Sequence, residues 1–142
     1  MLFFEDLQIG QTAELIRTVT GHDIARFAEV SGDNNPVHLN AEFAAGTVFN
    51  QPIAHGMLVA SFISALIGSK LPGPGAIYVG QTLDFKRAVR PGDEVRVTAE
   101  ITSLDPAKGN VTLKTSCYVG RKSMIEGVAT VSVARRSQGS PA

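Results

Sequence analysis

The chain has no tryptophan, a single cysteine and no excess of charge of either sign. The lone Cys117 excludes an intramolecular disulfide and any cysteine-only zinc site. Thirteen basic residues balance thirteen acidic ones, so no general field draws the chain to nucleic acid or to an anionic membrane. Long uncharged apolar runs are also missing, apart from 51–69. That run contains Pro52, His55 and several hydroxyls, and reads as a buried helix rather than a membrane span. The opening residues Met1-Leu2-Phe3-Phe4-Glu5-Asp6 carry acids where a signal peptide is basic and then apolar. A cytoplasmic location is the expectation. There is no glycine-rich phosphate loop, no metal-spaced cluster of His, Cys and acids, and no nucleophile elbow, so neither metal nor cofactor is expected.

What is present fills 142 residues, enough for one domain with a sizeable core. We expect that domain over 1–136, with a polar, flexible tail at 137–142 and fraying from Arg135 onward. Alternation predicts a first strand over 11–19, with Ala13, Leu15 and Val19 on one face. Thr20 is placed to cap a helix over 22–30, whose stripe is Ile24, Phe27, Ala28 and Val30; Gly32 then stops it. Asn40 caps a short helix through Ala45. A helix over 56–69 is apolar around nearly its whole circumference and should be wrapped by protein. The second half is strand-like. One long strand is expected over 76–89, then alternating strands over 94–103, 110–119 and 123–134, separated by turns at Pro91-Gly92 and Asp105–Gly109. Short connections of this kind imply an antiparallel sheet with one polar face, and the apolar helix can cover the other. The fold class is therefore α+β, a sheet curled around one long helix.

Two short stretches carry the chemistry. Asp33 and His38 lie five residues apart around Pro36, in what reads as a loop, so both can be aimed at one point and hold a water between carboxylate and imidazole. On spacing alone, Asx turns before a proline and an ordinary loop histidine are the commoner explanation. Gly56 opens the apolar helix, where the first N–H groups lack intrahelical partners and carry partial positive charge. Without a side chain, that N–H is open to a ligand carbonyl; a packing role for a small residue is the alternative. His55 reads as a structural hydrogen-bonding group. Ser61 and Ser64 are expected to bond back to carbonyls one turn earlier, and Cys117 to be a small buried hydrophobe. Lys86, Arg87 and Arg90 form either a solvated edge or a phosphate site.

The run Phe27-Ala28-Glu29-Val30-Ser31-Gly32-Asp33-Asn34-Asn35-Pro36-Val37-His38, followed by Ala54-His55-Gly56-Met57, resembles the hydratase-2 motif of the MaoC-like family. Within that family it is most similar to the single-domain (R)-specific enoyl-CoA hydratases. The likeness covers roughly 5–135 and takes in Ile77-Tyr78-Val79-Gly80-Gln81-Thr82-Leu83-Asp84-Phe85. It implies a hot-dog fold, usually a homodimer, and reversible hydration of trans-2-enoyl-CoA to (R)-3-hydroxyacyl-CoA without metal or redox cofactor. Carried over by position, Asp33 and His38 are the catalytic pair, Asn35 supports their loop, the Gly56 N–H polarises the thioester carbonyl, and Ser64 matches an active-site serine. The acyl tail is then expected along Ile63, Leu66 and Ile67, and the CoA phosphates at Lys86, Arg87 and Arg90. A role in supplying monomers for polyhydroxyalkanoate synthesis is common among close look-alikes. The alternative is a (3R)-hydroxyacyl-[acyl-carrier-protein] dehydratase of fatty-acid synthesis, because the motif reads the thioester rather than its carrier. A hot-dog thioesterase and a non-catalytic acyl-binding subunit are the other classes to separate.

Overall fold

The computed structural model describes residues 1–136, and the tail expected at 137–142 lies outside them. A 3-10 turn at Phe4–Asp6 leads to strand β1 (Thr12–Thr18). Four helices follow: α1 (Gly21–Ser31), α2 (Pro36–Leu39), α3 (Ala41–Ala45) and α4 (Gly56–Ser69). The remaining strands are β2 (Ile77–Gln81), β3 (Asp84–Phe85), β4 (Glu94–Asp105), β5 (Asn110–Val119) and β6 (Lys122–Ser132). They form one antiparallel sheet in the order β1-β4-β5-β6-β2, with β3 also paired to β6. This is the helix-wrapped sheet, the hot-dog fold, that the sequence led us to expect.

The alternation read from the sequence sets the core. Val95, Val97, Ala99 and Ile101 of β4, Val111, Leu113 and Cys117 of β5, and Ile125, Ala129 and Val131 of β6 are all buried. Against them lie Val59, Phe62, Ile63, Leu66 and Ile67 of α4. Cys117 is the inert core side chain expected. Burial first, and the Glu126 carboxylate second, push its thiol up to about 12. Among the described residues no helix is long and apolar enough to cross a membrane.

Four expectations need correction. The segment 76–89 is two strands rather than one: β2 pairs with β6 through a register shift between Tyr78 and Gly80, the chain leaves regular strand geometry at Thr82 and Leu83, and β3 resumes on β6 in the register that β2 ended on. Helix α4 is not wrapped all round. The sheet covers one side only, and Met57 (57% exposed), Ser61, Ser64, Ala65 and Gly68 remain open on the other. Val30 points away from the α1 stripe and is exposed. Arg135 and Arg136 are held rather than frayed: Arg135 pairs with Glu5 at 3.8 Å, and Arg136 pairs with Asp6 while donating its N–H to Glu5 at 2.8 Å.

Candidate active site

The residues between α1 and α4 are fixed mainly by side chains bonding to nearby backbone. Thr20 caps α1, accepting the Asp23 N–H at 3.0 Å while Asp23 accepts the Thr20 N–H at 3.0 Å, a reciprocal box. Gly32 ends the helix at φ +79°, a conformation that suits glycine. Ser31 Oγ donates to the Phe27 carbonyl at 2.6 Å and accepts the Asp33 N–H at 3.1 Å. One Asp33 carboxylate oxygen accepts the Asn35 N–H at 3.3 Å, and Asn35 Oδ1 accepts the Val37 N–H at 3.2 Å. Asn35 thus caps α2, with Pro36 at the first helical position, where its missing N–H costs nothing.

His38 therefore sits on a single helical turn, not in the loop expected from the sequence. The turn is too short to separate it from Asp33. Its Nδ1 lies 2.8 Å from the Ile53 carbonyl oxygen, which can only accept, so Nδ1 carries the hydrogen. The neutral ring then has its lone pair on Nε2. Asp33, His38, His55 and Gly56 line one cavity of about 470 Å³, together with Met57, Phe85, Lys86 and Arg87. A donor atom from each of Asp33, His38 and His55 falls within 4.8 Å of the other two. That separation suits a single water bonded to the carboxylate and to His38. These three are also the group among the described residues whose donors could meet at a cation, a convergence that their spacing in the sequence does not advertise. With His38 Nδ1 and His55 Nε2 on carbonyls, however, such an ion would have to reach the wholly buried His55 Nδ1. The arrangement favours proton transfer over ligation.

Gly56 is the first residue of α4, so its N–H lies outside the i to i−4 ladder and at the positive end of the helix. Both readings of this glycine find support. It lines the cavity, and a Cβ here would stand 2.7 Å from Phe85 Cε1 and 2.8 Å from Cδ1. Ser64 is exposed and lines a second cavity of about 520 Å³, with Ser61, Ala60, Phe27, Tyr78 and Gln81; Met57 borders both cavities. Ser61 makes the expected bond back, donating to the Leu58 carbonyl at 2.5 Å.

The structure separates the other expected site residues. Ile63, Leu66 and Ile67, expected along the acyl tail, belong to the buried side of α4 and line neither cavity. Of the three cations, Lys86 and Arg87 reach the Asp33 cavity, where Arg87 donates to the Ser123 carbonyl at 2.7 Å. Arg90 does not. Its guanidinium donates to the Phe49 carbonyl at 2.8 Å, and it lines an adjoining groove with Arg87 and Lys122. Phe85 and Met57 were missed as site residues because each reads in the sequence as ordinary core, yet both are exposed at the cavity.

A family model for the MaoC like domain matches residues 6–128. An (R)-specific enoyl-CoA hydratase of Rhodospirillum rubrum is 53% identical over 134 residues, spanning 94% of this chain and 93% of that protein. A 3-hydroxybutyryl-CoA dehydratase of Methylorubrum extorquens is 43% identical over 141 residues, spanning 99% of this chain and 90% of that one. The solved structure of an (R)-hydratase from A. caviae, involved in PHA biosynthesis, aligns with a TM-score of 0.88 at 44% identity, covering 91% of this chain and 98% of that chain. With its motif, its sheet and almost its whole length matched in this way, the chain belongs to the MaoC-like domain family.

Proposed function

We propose that this protein is an (R)-specific enoyl-CoA hydratase, adding water reversibly to trans-2-enoyl-CoA to give (R)-3-hydroxyacyl-CoA. The observation that carries the reading is that Asp33, His38 and Gly56 line one cavity, with His38 Nδ1 on the Ile53 carbonyl so that Nε2 is left for the water. In this mechanism a water held between Asp33 and His38 adds its oxygen to C3 of the conjugated thioester. One member of the pair takes the water's proton, and electron density moves through C2 to the carbonyl oxygen as an enolate. The Gly56 N–H, aligned with the helix dipole, bonds that oxygen where the charge develops. A proton delivered to C2 by the pair completes the addition. Asn35 acts through the loop, by capping the turn that carries His38. Lys86 and Arg87 are placed to receive CoA phosphates, and Arg90 stands one groove away. The acyl tail runs past Met57 toward the second cavity, which brings Ser64 beside it. The A. caviae relative is involved in PHA biosynthesis, and monomer supply for such a polymer is the role this reading gives the present chain. A cytoplasmic location fits a single, buried, unoxidised thiol.

The working form in this proposal is a homodimer. Strand β2 is an edge of the sheet with Ile77 and Val79 exposed, and the exposed Met57 on the open side of α4 lines one cavity with Val79 and another with Phe85. An unpaired edge of this kind is satisfied by an antiparallel copy of itself about a two-fold axis. Sedimentation or light scattering should give twice the chain mass, and Val79→Asp should shift it toward monomer. A monomeric parent would remove this part of the proposal.

The test of function is loss of enoyl-thioester absorbance with crotonyl-CoA. The parent should turn over rapidly to the (R)-3-hydroxy product, and Asp33→Asn or His38→Gln should each lower kcat at least about a hundredfold, roughly 2.7 kcal/mol of barrier. Turnover surviving both substitutions overturns the site. Faster reaction on the matched acyl-carrier-protein substrate moves the assignment to the carrier-protein dehydratase. Release of free thiol would mean a thioesterase.

A further inference from the structure

The mechanism above gives His55 no task, yet its side chain is 1% exposed and touches both halves of the site. Its Nε2 lies 3.1 Å from the Asp33 carbonyl oxygen, an atom that only accepts, so Nε2 carries the hydrogen and donates it. The ring lies against His38, with centroids 4.0 Å apart and planes at 29°, and Phe27 backs it at 4.9 Å and 55°. The main chain of the same residue opens α4: its carbonyl accepts the Leu58 N–H at 3.1 Å, and the next N–H is that of Gly56. The other ring nitrogen, Nδ1, is buried without a hydrogen-bond partner among the described residues. An unpaired buried polar atom is destabilising, and a hydrocarbon ring of the same shape would remove that cost. Packing alone therefore does not call for a histidine here.

We infer that His55 is a positioning residue: its Nε2–H and its ring face hold the Asp33 main chain and the His38 imidazole in register with the Gly56 N–H. The stacked contact limits the tilt of His38 about its Ile53 bond, and the carbonyl contact ties the end of the α1 loop to the start of α4. A shift of either relative to Gly56 misplaces the attacking water against the polarised carbonyl, and rate depends steeply on such alignment.

The kinetic arm of the test rests on the hydratase reading, and a second arm does not. His55→Phe keeps the ring without the donor, and His55→Gln keeps an N–H of similar reach. We expect His55→Phe to lower kcat at least about tenfold with KM within about threefold, and His55→Gln, which keeps the donor but not the ring face, to recover part of that loss and fall between His55→Phe and the parent. In an Asp33→Asn background the Phe change should cost less than about threefold, because the carboxylate it positions is gone. Independently, amide hydrogen exchange at Asp33 and Asn35 should quicken at least about tenfold in His55→Phe, while exchange at Ile63 and Leu113 is unchanged. The inference falls if kcat of His55→Phe is within threefold of the parent, if the His55 and Asp33 losses multiply, or if loop exchange does not change. Should His55→Phe fail to melt cooperatively, His55→Leu replaces it. A parent without enoyl-thioester turnover sinks the hydratase reading alone, and the exchange arm then decides this one.

Discussion

Two regions of this molecule are held in place by different means. Strands β4–β6 are fixed by long antiparallel ladders, each broken by only one register shift (at Ile101/Ser103 and at Cys117/Tyr118), and by alternating apolar residues that are wholly buried. The segment from Thr20 to Gly56 contributes few fully buried side chains and is fixed by caps and turns: Thr20 with Asp23, Ser31 with Asp33, Asp33 with Asn35, Asn35 with Val37, and Asn40 with Phe43. Burial is non-directional and supplies stability. Side-chain to backbone bonds are directional and set where one atom sits relative to another. The groups proposed to be catalytic come from the second region, and the body that carries them from the first.

If that division is right, changes in the sheet should cost stability and spare chemistry. The largest effect should come from Leu113→Ala. Leu113 is fully buried at the centre of β5, and its truncation should lower the free energy of unfolding by about 2–5 kcal/mol in urea melts. At temperatures where the variant stays folded, kcat should match the parent. A loss of kcat under those conditions would break the division, since the sheet would then be setting the site's geometry directly.

The reverse change is Gly56→Ala. A methyl here meets the Phe85 ring at 2.7–2.8 Å, but that ring is the far end of a side chain 52% exposed, so it can swing aside. Helix propensity favours alanine and offsets part of the clash. Unfolding should change by no more than about 1 kcal/mol. The displaced ring and the new methyl both crowd the cavity beside Asp33 and His38, so kcat/KM should fall about tenfold or more. Unchanged activity would mean that the carbonyl does not approach this N–H.

The same division explains how much could be read in advance. Alternation with period two gave the inward faces of β4, β5 and β6, because a half-buried strand writes its burial into its sequence. Caps are equally local: Thr20, Gly32 and Asn40 act where their residue types suggest. What failed depended on distant neighbours. The open side of α4 looked buried because a monomer's sheet covers only half of an apolar helix, and Met57 carries no mark of which half it is on. The break between β2 and β3 falls at Thr82 and Leu83, after which β3 resumes on β6 in the register that β2 ended on, and nothing within 76–89 announces it. His38 and His55 stack across seventeen positions of sequence, and Lys86, Arg87 and Arg90 part company only when the fold sends Arg90 to the Phe49 carbonyl. The motif was legible in the sequence; the geometry that brings its residues to one cavity required the tertiary contacts.

The smallest predicted effect tests whether ionised groups or shape hold the polar region. The Thr20 N–H on Asp23, assisted by Arg17 at 3.0 Å, keeps the Asp23 carboxyl below its ordinary range. A group depressed in the folded state contributes stability above its unfolded value, about 3.9, and loses that contribution as pH falls through the lower folded value. Asp23→Asn keeps an acceptor for the Thr20 N–H and discards the charge, along with its interactions with the helix N-terminus and with Arg17. At pH 7 the variant should be about 0.5 kcal/mol less stable than the parent in urea melts. As pH falls through and below that lower folded value the two should converge, because the parent then loses the same charge. High salt at pH 7 should narrow the gap in the same direction. A difference that persisted at low pH would assign the first turn of α1 to the shape of its acceptor rather than to its charge. Phe27, one face of the His55 contact, would then be placed by geometry alone, and the site would keep its alignment across the acid range in which the carboxylate is lost.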